Sequence, residues 1–308
     1  MTQNNPQVPW TDEQWARVTH VIQEEAQQAR VAATFLPLVG PLPASADFVR
    51  EDKIGFQDAD GKPKQRLTIN DTNTIKLPTL QVKVFLRGAQ MADPELTSAL
   101  ALFRRAANVL ARLEDSIAFT GQANENQGSE EAHNRLLPHI WEVLGGRASR
   151  GLLTPLESKK GAADTGKKTP FFASGEKDLG ETLVREISDA IGDLEALGHF
   201  GPFAVALDQR LFTGVQTPND KSLVLPQDRI IPFLGGGPLV RSSTLPKNSG
   251  VVVALGGAPV ELVVATDVSL NFLQVTTDPM FAFRVYEKLV LRIKEENAIA
   301  TLRWTGNP

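Results

Sequence analysis

The chain has 308 residues, of which 42% are hydrophobic and 22% charged, as is ordinary for a soluble globular protein of one large domain or two modest ones. Its formal net charge of -4 argues against a general binder of nucleic acid or of anionic membranes, because neutralising phosphates requires excess positive charge. There are no cysteines, which excludes disulfides, thiolate metal sites and cysteine nucleophiles.

Targeting signals are not found in the sequence. No apolar run approaches the ~18 residues of a membrane-spanning helix. The N-terminus, MTQNNPQVPW, lacks both the basic region and the hydrophobic stretch of a secretory signal. We therefore expect a cytoplasmic protein with no membrane partner.

The N-terminal part of the chain predicts a helix followed by a break. Thr11 and Gln14 form a capping box, and apolar residues follow at helical spacing as far as Arg30 or Ala33. The prolines and the glycine within 35–43 then forbid a continuous helix.

Residues 48–85 change to alternating apolar and polar positions around an Asp60-Gly61 turn, which predicts a long β-ribbon. Two strands alone are only marginally stable in water. A ribbon with one apolar side is most simply explained if it lies on another surface, either of its own domain or of a neighbouring subunit.

The stretch from Asp93 to Gly121 predicts one long helix. Asp93 suits the cap, Pro94 suits the first helical position, and Gly121 can end the helix in the left-handed conformation. At a rise of 1.5 Å per residue, roughly 27 residues make a rod of about 40 Å. An apolar stripe recurs at three- and four-residue steps and consists of Leu96, Leu100, Phe103, Ala107, Leu110, Leu113 and Ile117.

The polar region 122–177 contains one short helical candidate, 132–144, and a lysine- and glycine-rich stretch typical of a solvated loop. Helices and strands alternate after it. In chain order they are a helix at 179–197, a strand at 203–207, a helix at 211–215, and strands at 249–255, 260–265, 281–293 and 298–304. The last two strands are expected to pair with each other.

The sequence carries no recognisable catalytic constellation. The four histidines lie in unrelated contexts, and no nucleophile elbow, P-loop or dinucleotide motif is present. Glu114 and Asp115 are about 100° apart on a helix, so they cannot converge on one substrate, and solvated or ion-paired side chains are favoured. The residues alone leave a structural assembly protein or a binding module, with no metal site expected.

Three blocks of the sequence, taken in order, match a known pattern. The first is the opening helix and its turn, with Thr11, Trp15, Val18, Gly40 and Pro41. The second is LARLEDSIAFTG followed by Gly151-Leu152-Leu153. The third comprises GHFGPFAVALDQRLF, SGVVVALGG and FRVYEKLVLRIKEENAIATL. Together they cover most of the chain outside 122–178, and they resemble the encapsulin family, the linocin-like shell proteins that share the tailed-phage major-capsid fold.

The resemblance implies an α+β fold with a peripheral domain, an axial domain and an extended loop. The implied division is 1–47 for the N-terminal helix and arm, 48–85 for the extended loop, 86–178 for the peripheral domain with its spine helix at 94–120, 179–265 for the axial domain, and 266–308 for the C-terminal strands of the peripheral domain. The extended loop would lie on the adjacent subunit, and copies of the chain would close into an icosahedral shell whose subunit number is a multiple of sixty.

The resemblance also implies binding sites. Family members bind a C-terminal peptide of a cargo enzyme on the inner surface, which suggests an apolar groove of Val18, Ile22, Ala26, Ile299 and Leu302. The loop that would line a five-fold pore is Thr217, Pro218, Asn219, Asp220, Lys221 and Ser222. The cargo would be a ferritin-like protein, which would make the particle an iron store, or a peroxidase. No cofactor is expected, since KVFLRGAQMADP lacks the tryptophan that some relatives carry near a flavin.

Residues 123–148 and 158–174 are inserted relative to a minimal shell protein. Two other functions stay open. The first is a virus-derived major capsid protein that packages DNA, which the acidic net charge disfavours. The second is a monomeric hydrolase using Glu114, Asp115 or Asp267, which would require those carboxylates to share a cleft.

Overall fold

The computed structural model describes residues 8–59, 62–122, 140–154, 171–172, 179–218 and 224–304. The α-helices of these ranges are α1 (Asp12–Ala29), α2 (Gly88–Met91), α3 (Thr97–Thr120), α4 (Leu179–Ala196), α5 (Gln209–Gln216) and α6 (Pro226–Ile230). Short 3₁₀ turns lie at Ala32–Thr34, Ile231–Leu234 and Glu296–Ala298.

The strands of the described ranges form two five-stranded sheets and two pairs. The first sheet has the order β1 (Leu38–Val39), β12 (Val260–Val275), β13 (Met280–Ile293), β6 (Thr79–Arg87) and β7 (Trp141–Leu144). The second sheet has the order β10 (Leu239–Arg241), β9 (Phe203–Leu207), β11 (Ser249–Ala254), β14 (Ile299–Trp304) and β8 (Phe171–Phe172). The pairs are β2 (Phe48–Arg50) with β5 (Thr74–Lys76), and β3 (Lys53–Ala59) with β4 (Lys62–Asn70).

The main core lies between α1, α3 and the inner face of the first sheet. The predicted capping box starts α1, where the Gln14 backbone N–H donates to the Thr11 hydroxyl at 3.2 Å. At the centre of this core, Phe283 of β13 is fully buried. Its ring centroid lies 5.0 to 6.1 Å from those of four aromatic residues, which are Trp10, Trp15, Phe103 and Phe272. Aromatic packing therefore ties the first helix to the sheet.

The long helix α3 is confirmed, but its regular part is shorter at the start than predicted. Leu96 adopts a left-handed conformation with φ of 52°, so the helix begins at Thr97 instead of Pro94. Leu96 therefore occupies the N-cap position predicted for Asp93, although the Asp93 carboxylate accepts the Thr97 backbone N–H at 2.9 Å. Gly121 ends the helix as predicted, but with φ of 80° and ψ of -179° it does not adopt the predicted left-handed helical conformation.

A second core lies between α4 and the second sheet, and the predicted helix at 179–197 is confirmed by α4. Its apolar face contains Leu183, Ile187, Ile191 and Leu194, all buried. A third cluster, which includes Phe119 of α3, Leu262 of β12 and Val253 of β11, joins the two sheets. The end of the long helix is therefore packed where both sheets meet.

Two predictions in the first half of the chain are wrong in part. The ribbon predicted at 48–85 ends earlier, because β6 pairs with β13 and β7 inside the first sheet. Residues 141–144 of the predicted helix 132–144 form the edge strand β7, in which Val143 is the buried position. The rest of that helix, 132–139, lies outside the described residues.

The two C-terminal strands form as predicted but do not pair with each other. β13 lies between β12 and β6, whereas β14 lies between β11 and β8 in the second sheet. Alternation predicts a strand without specifying its partner, since every half-buried strand shows the same period of two. The predicted domain division stays a prediction. The sheets cross it twice, because β12 runs past residue 265 and β14 pairs in the second sheet.

Candidate assembly surface

β3 and β4 form a hairpin that pairs with no other strand of the described ranges. The register places Lys53 opposite Asn70 and Ile54 opposite Ile69. Leu67 and Ile69 are two residues apart and therefore share one face of β4. They are 70% and 63% exposed. The hairpin thus presents apolar side chains to solvent that the rest of the described chain does not cover.

The root of this hairpin is held firmly to the first sheet. Arg292 of β13 donates to the Asp52 carboxylate at 2.7 Å. The Ile54 backbone N–H donates to the Lys294 carbonyl at 3.0 Å. These two hydrogen bonds therefore fix the direction in which the hairpin projects from the first sheet. The apolar side chains of Leu67 and Ile69 in β4 stay exposed.

Three further apolar side chains are exposed in turns beside the second sheet. Phe200, in the turn after α4, is 66% exposed. Ile231 and Phe233 of one 3₁₀ turn are 51% and 48% exposed.

The five residues predicted to form the cargo groove are buried in separate parts of the core. Val18, Ile22 and Ala26 of α1 are at most 1% exposed and pack in the cluster of α1, α3 and the first sheet. Ile299 belongs to the cluster between the sheets, and Leu302 packs with α4. The described chain does not bring the five together on an open surface, and a cargo-binding role for them stays a prediction.

The predicted pore loop is described only at its beginning. Thr217 and Pro218 are exposed at the end of α5, where the Thr217 hydroxyl donates to the Thr213 carbonyl at 2.8 Å. The other four residues of that prediction, Asn219, Asp220, Lys221 and Ser222, lie outside the described residues.

The carboxylates considered for hydrolysis surround a single buried arginine. Arg30 follows α1, and its Nε lies 2.6 Å from Glu114 Oε2. Its Nη2 lies 2.8 Å from both Glu287 Oε2 of β13 and Asp267 Oδ1 of β12. The predicted ion-paired alternative for Glu114 is therefore confirmed. Glu114 is 1% exposed, so this cluster offers no open cleft to a substrate.

Asp115 closes the turn after the first helix. Its carboxylate accepts the backbone N–H groups of Val31 at 3.0 Å and Ala32 at 2.7 Å. Burial raises the pKa of Asp115 to about 8, because desolvation disfavours the charged form and Glu114 adds repulsion. The sequence did not identify Arg30 as the partner of these acids. A signal was available in LEDSIAF, where apolar residues surround the acids on all sides and indicate a fully buried helix.

No three histidine, cysteine or acidic side chains of the described residues are grouped so that they could hold a metal ion. No helix of the described ranges has the length and apolar content needed to cross a bilayer.

Known proteins with similar sequences and folds share one architecture. A family model described as "Encapsulating protein for peroxidase" matches residues 1–134 and 160–290. The type 1 encapsulin shell protein EncA of Myxococcus xanthus (strain DK1622) is 27% identical over 310 residues, which cover 97% of this chain and 95% of that protein.

Two solved structures extend the comparison to the fold. The virus-like particle from Pyrococcus furiosus has a TM-score of 0.64 and 17% identity, over 94% of this chain and 100% of that chain. The capsid of Myoviridae Phage XM1 has a TM-score of 0.54 and 13% identity, over 87% and 89% of the two chains. These likenesses confirm the predicted tailed-phage capsid fold.

Proposed function

Because the chain belongs to the encapsulin shell-protein family, we propose that copies of it close into an icosahedral nanocompartment that encloses cargo enzymes. Members of this family are structural proteins, so the chain is not an enzyme. Assembly of the chain with copies of itself into a shell follows from the same relatives. The icosahedral symmetry, a subunit number that is a multiple of sixty, and the cargo belong to the proposal.

The observation that supports assembly most directly is the uncovered apolar face of the β3–β4 hairpin. Fully burying a leucine or isoleucine side chain contributes about 1.5 to 3 kcal/mol. Leu67 and Ile69 obtain little of this in the single chain, since they are 70% and 63% exposed. In a closed shell each chain gives one hairpin and receives another, so no such face remains open.

Replacing both apolar residues tests this proposal. We expect Leu67→Glu with Ile69→Glu to leave the chain folded but to shift it from large particles to small species in sedimentation velocity, because charges cannot be buried on a neighbour. Thr68→Glu is the matched control, since Thr68 lies between them on the opposite face of β4. Particles that form normally from the double variant would contradict a role for this face.

The cargo is proposed to be a ferritin-like protein or a peroxidase, held in the lumen through a C-terminal targeting peptide. The description of the family as an encapsulating protein for peroxidase supports this. The peptide would bind on the inner surface near α1 and the last strands. The residues proposed for the cargo groove are Val18, Ile22, Ala26, Ile299 and Leu302, and all five are buried in the single chain.

Mass spectrometry of protein that co-purifies with the particles tests the cargo proposal. We expect a guest enzyme whose retention is lost when its C-terminal residues are deleted. The control is the same guest with an equal number of residues deleted from its N-terminus. Empty particles purified from the native cells would contradict enclosure of cargo.

The loop 217–222 is proposed to line the pore at the five-fold axis. Exposed Thr217 and Pro218 at the end of α5 support this by placing the start of the loop in solvent. Reversing the single positive charge with Lys221→Glu is expected to change the entry rate of small charged solutes, with little effect on assembly. Entry of a neutral solute of similar size is the control.

Packaging of DNA by a virus-derived capsid remains the alternative, and the likeness to the phage XM1 capsid favours it at the level of fold. The net charge of -4 disfavours it. Nuclease-resistant nucleic acid and a raised A260/A280 ratio in purified particles would support the alternative, and their absence would support the cargo compartment.

A further inference from the structure

Arg30 is the centre of a buried charged joint between three parts of the fold. We call Arg30, Glu114, Glu287 and Asp267 the Arg30 joint. The side chains of Arg30, Glu114 and Glu287 are 13%, 2% and 0% exposed, whereas that of Asp267 is 64% exposed. Arg30 follows the first helix, Glu114 lies in α3, and the other two lie in β13 and β12. The joint therefore connects the first helix, the long helix and the first sheet.

The two buried glutamates meet the same guanidinium. Glu114 Oε2 lies 2.6 Å from Arg30 Nε, and Glu287 Oε2 lies 2.8 Å from Arg30 Nη2. No N–H or O–H donor of the described residues reaches Glu287 Oε1. One guanidinium therefore faces two buried carboxyl groups.

The charges around the joint indicate a proton on one of the two glutamates. Among the described residues, Arg30 is the cation that pairs with both of them, and the acids that face it are Glu114 and Asp115 from α3, Asp267 from β12 and Glu287 from β13. Asp267 reaches water, and Asp115 accepts backbone N–H groups and has a pKa that burial raises to about 8. Lys288, next to Glu287, is bonded instead to Asp47 at 2.7 Å. If both buried glutamates ionised, two buried negative charges would share one guanidinium.

We propose that Glu114 and Glu287 share one proton in the folded protein, and that its loss as the pH rises through neutrality loosens the Arg30 joint. The Arg30 joint then holds the end of the first helix in place, and the strength of this attachment depends on pH. Val31 and Ala32, whose backbone N–H groups bind Asp115, directly follow Arg30. They are the groups whose protection would fall first when the joint opens.

The direction of the pH effect follows from the pKa changes. Burial raises the pKa of Glu114 to about 7, and burial with repulsion from Glu114 raises that of Glu287 well above its ordinary value. The folded state therefore holds a proton that the unfolded state releases above its ordinary pKa of about 4.3. This contribution to stability is fully present below that value and is lost as pH rises through about 7.

Hydrogen exchange in the full-length protein tests the proposal. The opening constant of residues 26–36 is measured by mass spectrometry between about pH 6 and about pH 8, after correction for base-catalysed exchange. For release of one proton, the opening constant is expected to rise by up to tenfold per pH unit in the wild-type chain. No pH dependence after that correction would overturn the proposal.

Glu287→Gln is the decisive variant, because glutamine cannot ionise but keeps an oxygen that can accept from Arg30. We expect opening of this variant to release about one proton fewer than opening of the wild type. Its opening constant should therefore rise less steeply with pH. An unchanged slope would overturn the proposal. Glu114→Gln removes the other glutamate of the pair, and we expect the same flatter pH dependence. This variant replaces Glu287→Gln in the experiment if Glu287→Gln does not fold.

Glu142→Gln is the matched control. The pKa of Glu142 is lowered by hydrogen bonds from Lys83 and Gln81, so this acid does not titrate in the measured range. We expect its slope to equal that of the wild type. A flattened slope in this variant would overturn the assignment of the effect to the Arg30 joint.

Discussion

The hairpin and the long helix use the same apolar residue types and place them in opposite environments. Leu67 and Ile69 of the hairpin are 70% and 63% exposed, whereas Leu110 and Ile117 of α3 are at most 1% exposed. The helix finds its partners within the chain, on α1 and the first sheet. Within the described part of the chain, the hairpin finds none beyond its root. The difference separates residues that fold the subunit from residues available to join it to others.

The largest expected effect comes from the centre of the first core. Phe283→Ala removes a fully buried ring that contacts four aromatic residues, and we expect it to destabilise the chain by about 3 to 5 kcal/mol. Urea unfolding followed by circular dichroism measures this loss. Phe85→Ala, at a side chain that is 44% exposed in the same sheet, is the control, and we expect about 0.5 kcal/mol or less. Equal losses of unfolding free energy in the two variants would contradict the contrast between buried and exposed apolar residues.

A smaller effect is expected at the turn after the first helix. Asp115→Ala leaves the buried N–H groups of Val31 and Ala32 without an acceptor, at about 1 to 3 kcal/mol for each unpaired group. Asp115→Asn keeps one acceptor oxygen and should be milder. The same urea unfolding measures both variants, and equal losses would show that the carboxylate does not act through these bonds.

The smallest effect on folding is expected in the hairpin. Leu67→Ser with Ile69→Ser removes apolar side chains that are mostly in water already, so we expect the unfolding free energy of the unassembled chain to change by about 0.5 kcal/mol or less. Sedimentation velocity should nevertheless show loss of large particles. A large loss of stability in the unassembled chain would show that this face belongs to the subunit core.

Local sequence signals predicted the elements that depend on local physics. The capping box at Thr11, the glycine at 121 and the apolar faces of α1 and α4 all depend on residues within a few positions of each other. The partners of β6 and β14 could not be predicted this way, because strand pairing joins residues far apart in the chain.

The Arg30 joint was missed for a related reason. Its ion pairs join residues separated by 84 positions, for Arg30 and Glu114, and by 257 positions, for Arg30 and Glu287. Neither spacing leaves a periodic mark in the sequence. For the candidate assembly surface, the sequence predicted an apolar ribbon with no partner, and the exposure of Leu67 and Ile69 confirms that much. Resemblance to shell proteins was needed to name a neighbouring subunit as the partner.

The position of β14 bears on the order of events during translation. The strands of the first sheet have all emerged once β13 has been synthesised, whereas the second sheet still lacks the strand that lies between β11 and β8. Until β14 leaves the ribosome, β11 keeps an unpaired edge. The second sheet of a nascent chain is therefore incomplete until β14 has been translated.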